Sequence, residues 1–222
     1  MVSHEYKCIF VHIPKTAGTS IEKKLGLFTE LKWGVQDHTE VHDYQPLTWG
    51  ELAGLAGQGR VKYALRDVRN RARGSSKRLT QEQFDSYFKF CFIRNSWARV
   101  YSWYHNVMRD EQQQELNGVK PGISFNEFLE NHLRPDDHIL KSQLSWITDN
   151  HNNVPMDFIG RFENLEHDMN FVCEKLGIDT DMPRLLKGSG KSYVDAYDDK
   201  WRAKVGEFYA EEIEHFGFKF GD

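Results

Sequence analysis

Short apolar runs and longer periodic segments alternate along the chain. Three runs, residues 8–13, 87–93 and 157–161, contain Phe and Ile at a length that is typical of buried strands. Each is followed by a segment in which apolar residues recur every three or four positions, as on the inner face of a helix. Such alternation is typical of a parallel sheet covered on both sides. We therefore predict an α/β fold of three layers, resembling that of P-loop proteins, with a central parallel sheet flanked by helices.

Helix boundaries are marked by capping patterns and by the ends of the periodic segments. A Ser or Thr followed three residues later by Glu or Gln predicts a helix start, and this pattern begins at Thr48, Thr80 and Ser124. Apolar periodicity predicts four further helices, over residues 19–25, 97–108, 162–176 and 201–216. Residues 183–200, which contain proline, glycine and lysine, are predicted to form a loop. Neither a repeat nor a linker divides the chain, so we predict a single domain over residues 1–222.

Composition and charge exclude several classes of function. With 222 residues, 39 % of them hydrophobic, the chain can bury a core, and extensive disorder is not expected. The net charge of −4 argues against general nucleic-acid binding. Cys8, Cys91 and Cys173 are far apart and lack metal-ligand spacing, so we expect buried free thiols in a reducing cytoplasm. The absence of a signal-peptide core or a long apolar run predicts a cytoplasmic protein without a membrane partner.

The segment His-Ile-Pro-Lys-Thr-Ala-Gly-Thr-Ser, residues 12–20, connects the first predicted strand to the first predicted helix. Backbone N–H groups and the helix dipole converge on an anion at such a connection. Lys15 adds a positive charge. Small and hydroxyl-bearing residues that suit a phosphate follow it, namely Thr16, Ala17, Gly18, Thr19 and Ser20. The pattern predicts a phosphate site, and the alternative is an ordinary strand–turn–helix with a surface lysine.

This connection differs from the Walker A loop of kinases and NTPases. In that loop the lysine follows the glycines, whereas Lys15 precedes Gly18. A kinase would also place an acidic residue at the end of a neighbouring strand to hold Mg²⁺, and here Arg94 follows the strand that ends at Ile93. These differences favour phosphate chemistry without a metal, and a P-loop-type kinase or NTPase is kept as the alternative.

A second strand-to-helix segment, residues 94–102, reads Arg-Asn-Ser-Trp-Ala-Arg-Val-Tyr-Ser. Arg94 is predicted at the carboxyl edge of the sheet, where open α/β sheets bind their ligands. Ser102 follows about two helical turns later, so the two residues are predicted to bind a second anionic group. For Arg99 the favoured interpretation is a solvated charge on the helix surface.

The two segments together resemble those of the sulfotransferases that use 3′-phosphoadenosine-5′-phosphosulfate (PAPS). They are most similar to the carbohydrate-type branch that includes heparan sulfate 2-O-sulfotransferases and their bacterial relatives. Residues 12–20 resemble the family's 5′-phosphosulfate loop, and residues 94–102 resemble its 3′-phosphate motif, with Ser96 where proline is usual. Residues 159–165 and 216–218 also resemble family features. The resemblance therefore spans nearly the whole chain.

The resemblance implies roles for individual residues. Lys15 would neutralise charge on the bridging oxygen as the sulfuryl group leaves, and Arg94 with Ser102 would hold the 3′-phosphate. The 5′-phosphate would be bound by the loop of Lys15, Thr16, Ala17, Gly18, Thr19 and Ser20. A late loop that closes over the nucleotide would include Lys187, Gly188 and Lys191. PAPS would be the co-substrate and 3′,5′-ADP a product, with no metal required.

The acceptor is expected to carry a free hydroxyl or amine, and a glycan is one candidate. Its proton needs a base. Our first choice is His42, which is predicted on a loop before the helix that starts at Thr48, followed by His38 and then Glu40. The further candidates for the acceptor side are His138 and Gln143.

Eight basic residues and one acid lie between Arg60 and Arg78. This stretch either binds an anionic acceptor or forms a solvated surface, and the second interpretation is favoured. A binding module that retains the nucleotide pocket without catalysis is the remaining alternative, supported only by Ser96.

Overall fold

The computed structural model describes residues 1–30, 36–57, 65, 79–134, 137–181 and 192–222. Within these residues, four strands form one sheet in the order β1–β2–β3–β4. The strands are β1 Val2–Ser3, β2 Cys8–Val11, β3 Phe88–Ile93 and β4 Phe158–Arg161. β1 pairs antiparallel with β2, whereas β2, β3 and β4 are parallel. The three predicted strands are therefore confirmed.

The register brings the ends of the parallel strands to one edge of the sheet. Val11 pairs with Cys91, and Ile93 pairs with Arg161. The segments that leave β2 and β3 thus start side by side, at the edge where ligands of open α/β sheets bind. This edge contains the candidate site.

Helices surround the sheet, as predicted. Their bounds are α1 Gly18–Lys24, α2 Val41–Tyr44, α3 Trp49–Gly57, α4 Gln81–Ser86, α5 Ser96–Met108, α6 Glu111–Asn117, α7 Phe125–His132, α8 Gln143–Ile147, α9 Leu165–Leu176, α10 Asp199–Phe208 and α11 Ala210–Phe216. Short 3₁₀ turns lie at Phe162–Asn164 and Val194–Ala196. None of the helices in the described ranges combines the length and apolar character needed to cross a bilayer.

The predicted capping patterns are confirmed. Thr80 and Gln83 form a reciprocal capping box at the start of α4, and the Thr48 and Ser124 hydroxyls accept from backbone N–H groups of α3 and α7. The single helix predicted over residues 201–216 is wrong. It is broken at Tyr209, where the backbone leaves helical geometry and the buried hydroxyl donates to the Leu140 carbonyl at 2.7 Å.

Two apolar clusters cover the two faces of the sheet. Successive residues of a strand point to opposite faces, so Ile9 and Cys91 pack beneath α5 and α8, while Phe10 and Phe90 pack against α1 and α9. The sheet and its two helical layers form the predicted three-layer α/β architecture. The cysteines are buried and free, as predicted: Cys8, Cys91 and Cys173.

Candidate active site

The first connection, residues 12–17 between β2 and α1, has unusual backbone geometry. Lys15 and Ala17 have φ angles of 73° and 70°, in the left-handed region. This conformation costs a residue other than glycine about 1–2 kcal/mol, and such strain is concentrated at functional sites. The Thr16 side chain is buried and stabilises the turn, because its hydroxyl donates to the Ile13 carbonyl at 2.8 Å.

The backbone donors of this connection point to a ligand. The N–H groups of residues 15–19 donate no hydrogen bond to any other described residue. Ala17, the N-cap residue of α1, also provides no side-chain cap. Thr19 is buried, and its hydroxyl accepts from Gln36 Nε2 at 3.1 Å. Because unpaired N–H groups at the start of a helix favour negative charge, this backbone can bind a phosphate.

Gly18 is required by a close contact with His12. A Cβ atom at position 18 would lie 1.9 Å from His12 Cδ2, so any other residue would displace the ring. The ring is buried, with Nδ1 3.0 Å from Glu22 Oε1. Burial lowers the pKa of His12 to about 3 and raises that of Glu22 to about 7, so the neutral forms of both are favoured.

Lys15 lies among cations rather than anions. Its Nζ donates to Asn106 Oδ1 at 2.9 Å, and the same oxygen accepts from Arg109 Nη2 at 3.0 Å. Burial, reinforced by Arg109 and Arg94, lowers the pKa of Lys15 to about 7. Within the described residues, no carboxylate forms an ion pair with Lys15. A half-buried amine in such surroundings favours a negatively charged ligand.

The second connection consists of Arg94 and Asn95, between β3 and α5. The Arg94 guanidinium carbon lies 3.9 Å from the Phe162 ring centroid, and Nη1 donates to the Lys15 carbonyl at 3.2 Å. Burial lowers the pKa of Arg94 to about 10. Its Nε is buried without a partner in the described ranges, so this N–H is left for a ligand. Ser102 lies on α5 and is half-buried.

Two expectations about polar residues near Arg94 are wrong. Arg99 is not a solvated charge: it is 1 % exposed, and its guanidinium donates to the carbonyls of Pro14, Ile139 and Lys141. The hydrogen bonds to these three carbonyls offset the free-energy cost of burying the guanidinium. Gln143 does not face an acceptor, because its side chain is buried against the backbone of Arg94.

His38 lies directly beside the first connection. Its Nδ1 is 3.2 Å from the His12 carbonyl oxygen, and the two rings are 4.1 Å apart. Since a carbonyl only accepts, Nδ1 carries the proton and Nε2 presents a lone pair. Burial, followed by the effect of His12, lowers the pKa of His38 to about 3, so the ring is neutral at pH 7.

The expected loop around His42 is wrong, since His42 lies on the short helix α2. Val41 and Tyr44 are three positions apart, and both are buried. One helical turn places both side chains on the same face, so the backbone between them is helical. His42 Nδ1 is 3.4 Å from Glu40 Oε2, and Nε2 is 3.2 Å from Asp43 Oδ1. His42 is therefore surrounded by carboxylates.

A further cluster surrounds the buried Trp146. The His138 ring lies 4.9 Å from the Trp146 ring, and the His38 ring lies 6.2 Å from it. Lys141 Nζ is 4.3 Å from the Trp146 ring centroid and also pairs with the Glu40 carboxylate. Burial and then Lys141 lower the pKa of His138. Three candidates for the acceptor side, His38, Glu40 and His138, are thus close together.

Comparison with known proteins identifies the family. A family model described as the sulfotransferase family matches residues 1–219. The chain belongs to the sulfotransferase family. The chain is also 36 % identical over 103 residues to an uncharacterized protein of Archaeoglobus fulgidus, a match that covers 46 % of this chain and 77 % of that protein. Membership makes this chain a transferase of sulfuryl groups.

Some predicted residues of this sulfotransferase fall outside the described ranges. They are Lys187, Gly188 and Lys191 of the late loop, together with the basic residues from Arg60 to Arg78. Their predicted roles stay predictions.

Sequence reasoning missed other residues that lie beside the candidate site. Asn106 and Arg109 were not considered, although they follow Ser102 by four and seven positions and so share its face of the helical segment. Phe162 was placed in a hydrophobic pattern and in the family-like segment 159–165 without a role at the site, yet it lies beneath Arg94. The i, i+4 spacing from Ser102 could have identified Asn106 from the sequence. The contact of Phe162 with Arg94 could not be identified in this way, because it depends on the pairing of β3 with β4.

Proposed function

We propose that this enzyme transfers the sulfuryl group of PAPS to a hydroxyl or amine of an acceptor. The observation that carries the proposal is Lys15, whose half-buried amine is bonded to the neutral Asn106 and lies near Arg94 and Arg109. These cations, together with the unpaired N–H groups beside them, suit a donor with several negative charges. Family membership supports sulfuryl transfer, and PAPS is the donor that best fits two separate anion sites.

The two strand-to-helix connections would bind the two phosphates of the donor. The N–H groups of residues 15–19 and the Ser20 hydroxyl would hold the 5′-phosphate, while Arg94 and Ser102 would hold the 3′-phosphate. Arg94 Nε supports this assignment, because it is buried and has no partner among the described residues. The late loop containing Lys187 and Lys191 would cover the nucleotide.

The chemistry requires an in-line displacement at sulfur. The acceptor oxygen or nitrogen attacks the sulfur atom, and the bond from sulfur to the bridging oxygen of the 5′-phosphate breaks. 3′,5′-ADP then leaves. Lys15 would stabilise the charge that develops on the bridging oxygen, a role in which a fixed positive group is effective.

We propose His38 rather than His42 as the base that removes the acceptor proton. His38 is bonded to the first connection, and its Nε2 lone pair is available because Nδ1 donates to the His12 carbonyl. An anionic donor beside the ring would favour its protonated form and so raise its basicity. His42 instead lies between Glu40 and Asp43 on α2. A carbohydrate acceptor is supported only by the resemblance of the sequence to the carbohydrate-type branch.

The test is calorimetry with 3′,5′-ADP and 5′-AMP, followed by turnover with labelled PAPS and a panel of glycan, phenol and amine acceptors. Charge-assisted hydrogen bonds contribute about 1.5–3 kcal/mol each, so 3′,5′-ADP should bind at least ~10-fold more tightly than 5′-AMP. Arg94→Ala should remove most of this difference. Equal affinities in the unmodified protein would refute PAPS as the donor, and binding without turnover on any acceptor would favour the binding-module alternative.

A further inference from the structure

The backbone of Arg94 is clamped by one buried side chain. Gln143 Oε1 accepts from the Arg94 N–H at 2.8 Å, and Gln143 Nε2 donates to the Arg94 carbonyl at 2.8 Å. Gln143 is 0 % exposed. The side-chain amide therefore pairs with both polar groups of the Arg94 backbone, as a neighbouring strand would do beyond the last paired residue of β3.

Gln143 is itself fixed by a buried carboxylate on α11. Glu212 is 0 % exposed, and its Oε1 accepts from Gln143 Nε2 at 3.0 Å. Its Oε2 accepts from the Gln143 N–H at 2.5 Å. These bonds also determine which end of the Gln143 amide faces Arg94 N–H, because Glu212 requires the NH₂ group on its own side.

Ser96 completes the network at the position where the family motif usually has proline. Its hydroxyl donates to Glu212 Oε1 at 2.6 Å. Ser96 is the first residue of α5, where proline is favoured because its φ angle is preset for a helix. In this chain Ser96 lacks the preset φ angle of proline, but its hydroxyl forms a hydrogen bond with the buried Glu212 carboxylate. The residue that departs from the motif therefore has a specific partner in Glu212.

The remaining contacts of Arg94 explain why its backbone position matters. The guanidinium rests on Phe162 and on the Lys15 carbonyl, and Nε has no partner in the described ranges. A small shift of the backbone would change the direction of that donor, and misplacement by about 1 Å at a binding group is costly. No other described side chain holds both polar groups of the Arg94 backbone.

We infer that Gln143 and Glu212 are positioning residues that set the preference of the enzyme for a nucleotide with a 3′-phosphate. The inference rests on the proposed function, in which Arg94 binds that phosphate. Neither residue touches the nucleotide. They act through Arg94, so their loss should affect the 3′-phosphate selectively and leave the 5′-phosphate site on the first connection intact.

The experiment compares the affinities for 3′,5′-ADP and 5′-AMP by calorimetry in wild type, Gln143→Met and a matched control, Gln45→Met. Gln45 is also buried and bonded through both ends of its amide, to Asp149 and Asn150, far in sequence from Arg94. We expect the affinity ratio to fall from at least ~10 to below ~3 in Gln143→Met, with 5′-AMP affinity changed by less than ~3-fold. Gln45→Met should keep the wild-type ratio.

The outcomes separate this inference from the proposed function. A wild-type ratio near one would refute the proposed donor. A normal wild-type ratio that persists in folded Gln143→Met, or an equal loss of affinity for both nucleotides, would overturn the positioning role. If Gln143→Met does not fold, the deciding variant is Glu212→Gln. It retains the side-chain volume but places an NH₂ group against one of the two Gln143 donors, either the backbone N–H or Nε2. A ratio reduced at least ~3-fold in that variant supports the inference, and an unchanged ratio overturns it.

Discussion

The two connections leave the same edge of the sheet but satisfy their backbone groups differently. In the first connection and the start of α1, the N–H groups of residues 15–19 have no partner within the part of the chain that the structure describes, and two residues adopt left-handed geometry. In the second, Gln143 and Glu163 accept from the N–H groups of Arg94 and Asn95. The Asn95 side chain then caps α5 by accepting from the next turn.

Under the proposed function, the difference represents two ways to build an anion site on one sheet edge. The first connection offers its backbone, so its geometry is strained and its donors are left for the ligand. The second would offer the side chain of Arg94, and the backbone groups of Arg94 and Asn95 are held by hydrogen bonds. Substitutions should therefore affect the free energy of unfolding differently in the first and the second connection.

The largest expected effect concerns His38, which is bonded to the first connection. His38→Ala should lower turnover by roughly 10²–10⁴-fold, the usual contribution of a general base, while donor affinity changes by less than ~3-fold. His42→Ala is the control and should keep turnover within ~3-fold of wild type. Steady-state kinetics with labelled PAPS would measure both. The opposite result, with His42 essential and His38 dispensable, would assign the base to α2.

Lys15→Ala should lower turnover by ~10²-fold or more, because it removes one charge-stabilising group. Lys7→Ala is a matched control, since Lys7 is a lysine with a positive φ angle of 48° and is exposed. A comparable loss in both variants would attribute the effect to backbone geometry. Unchanged turnover in Lys15→Ala would contradict its proposed role.

The affinity for 3′,5′-ADP should fall as the pH rises above 7. The pKa of Lys15 is lowered to about 7 in the free protein, and a bound anion raises it, so binding takes up a proton above that pH. The affinity is then highest at low pH, where Lys15 is protonated, and falls by up to about tenfold per pH unit above pH 7. Glu22, whose pKa is raised to about 7, acts in the same direction when it ionises.

Calorimetry between pH 6 and 9 would test this dependence. Lys15→Arg should flatten the profile, because arginine keeps its charge throughout this range, and Glu22→Gln should remove the remaining slope. A profile in Lys15→Arg as steep as that of wild type would show that Lys15 does not titrate on binding.

The smallest expected effects concern stability and differ between the two connections. Asn95→Ala should lower the free energy of unfolding by about 1–2 kcal/mol, because it removes the cap of α5 and the bond from Asn95 Nδ2 to the Lys219 carbonyl. Ala17→Gly should leave stability unchanged or raise it by up to about 1 kcal/mol, since glycine tolerates left-handed geometry. Urea unfolding would measure both. An equal loss of unfolding free energy in Asn95→Ala and Ala17→Gly would contradict the proposed difference between the two connections.

Local patterns predicted the three parallel strands, most helices and the position of Arg94 at the carboxyl edge of the sheet, whereas the proximity of Lys15 to Arg94 was not predicted. That proximity follows from topology, because parallel strands end at the same edge. β1 was missed because its two residues are too short to show alternation. The helix around His42 was missed because one turn held by Val41 and Tyr44 has no capping signal.

The roles of Arg99, Gln143 and Glu212 could not be predicted from local sequence. Arg99 lies on the same helical stripe as Ser96 and Trp103, which are both buried, but an arginine is usually exposed. Its partners are carbonyls of distant segments. Glu212 meets Gln143 only after α11 has packed against the core. Such contacts depend on the tertiary fold rather than on residue spacing.

The labelling rate of the two cysteines on the central strands can be used to measure how often the sheet opens. Cys8 and Cys91 are wholly buried on β2 and β3, and burial raises the pKa of Cys8 to about 12. A thiol reagent reaches them only when these strands separate, so the rate of labelling reports how often the protein exposes its centre. A ligand that binds only the closed form slows this labelling in proportion to its occupancy. Nucleotide affinity can therefore be measured by mass spectrometry of labelled thiols, without an acceptor substrate.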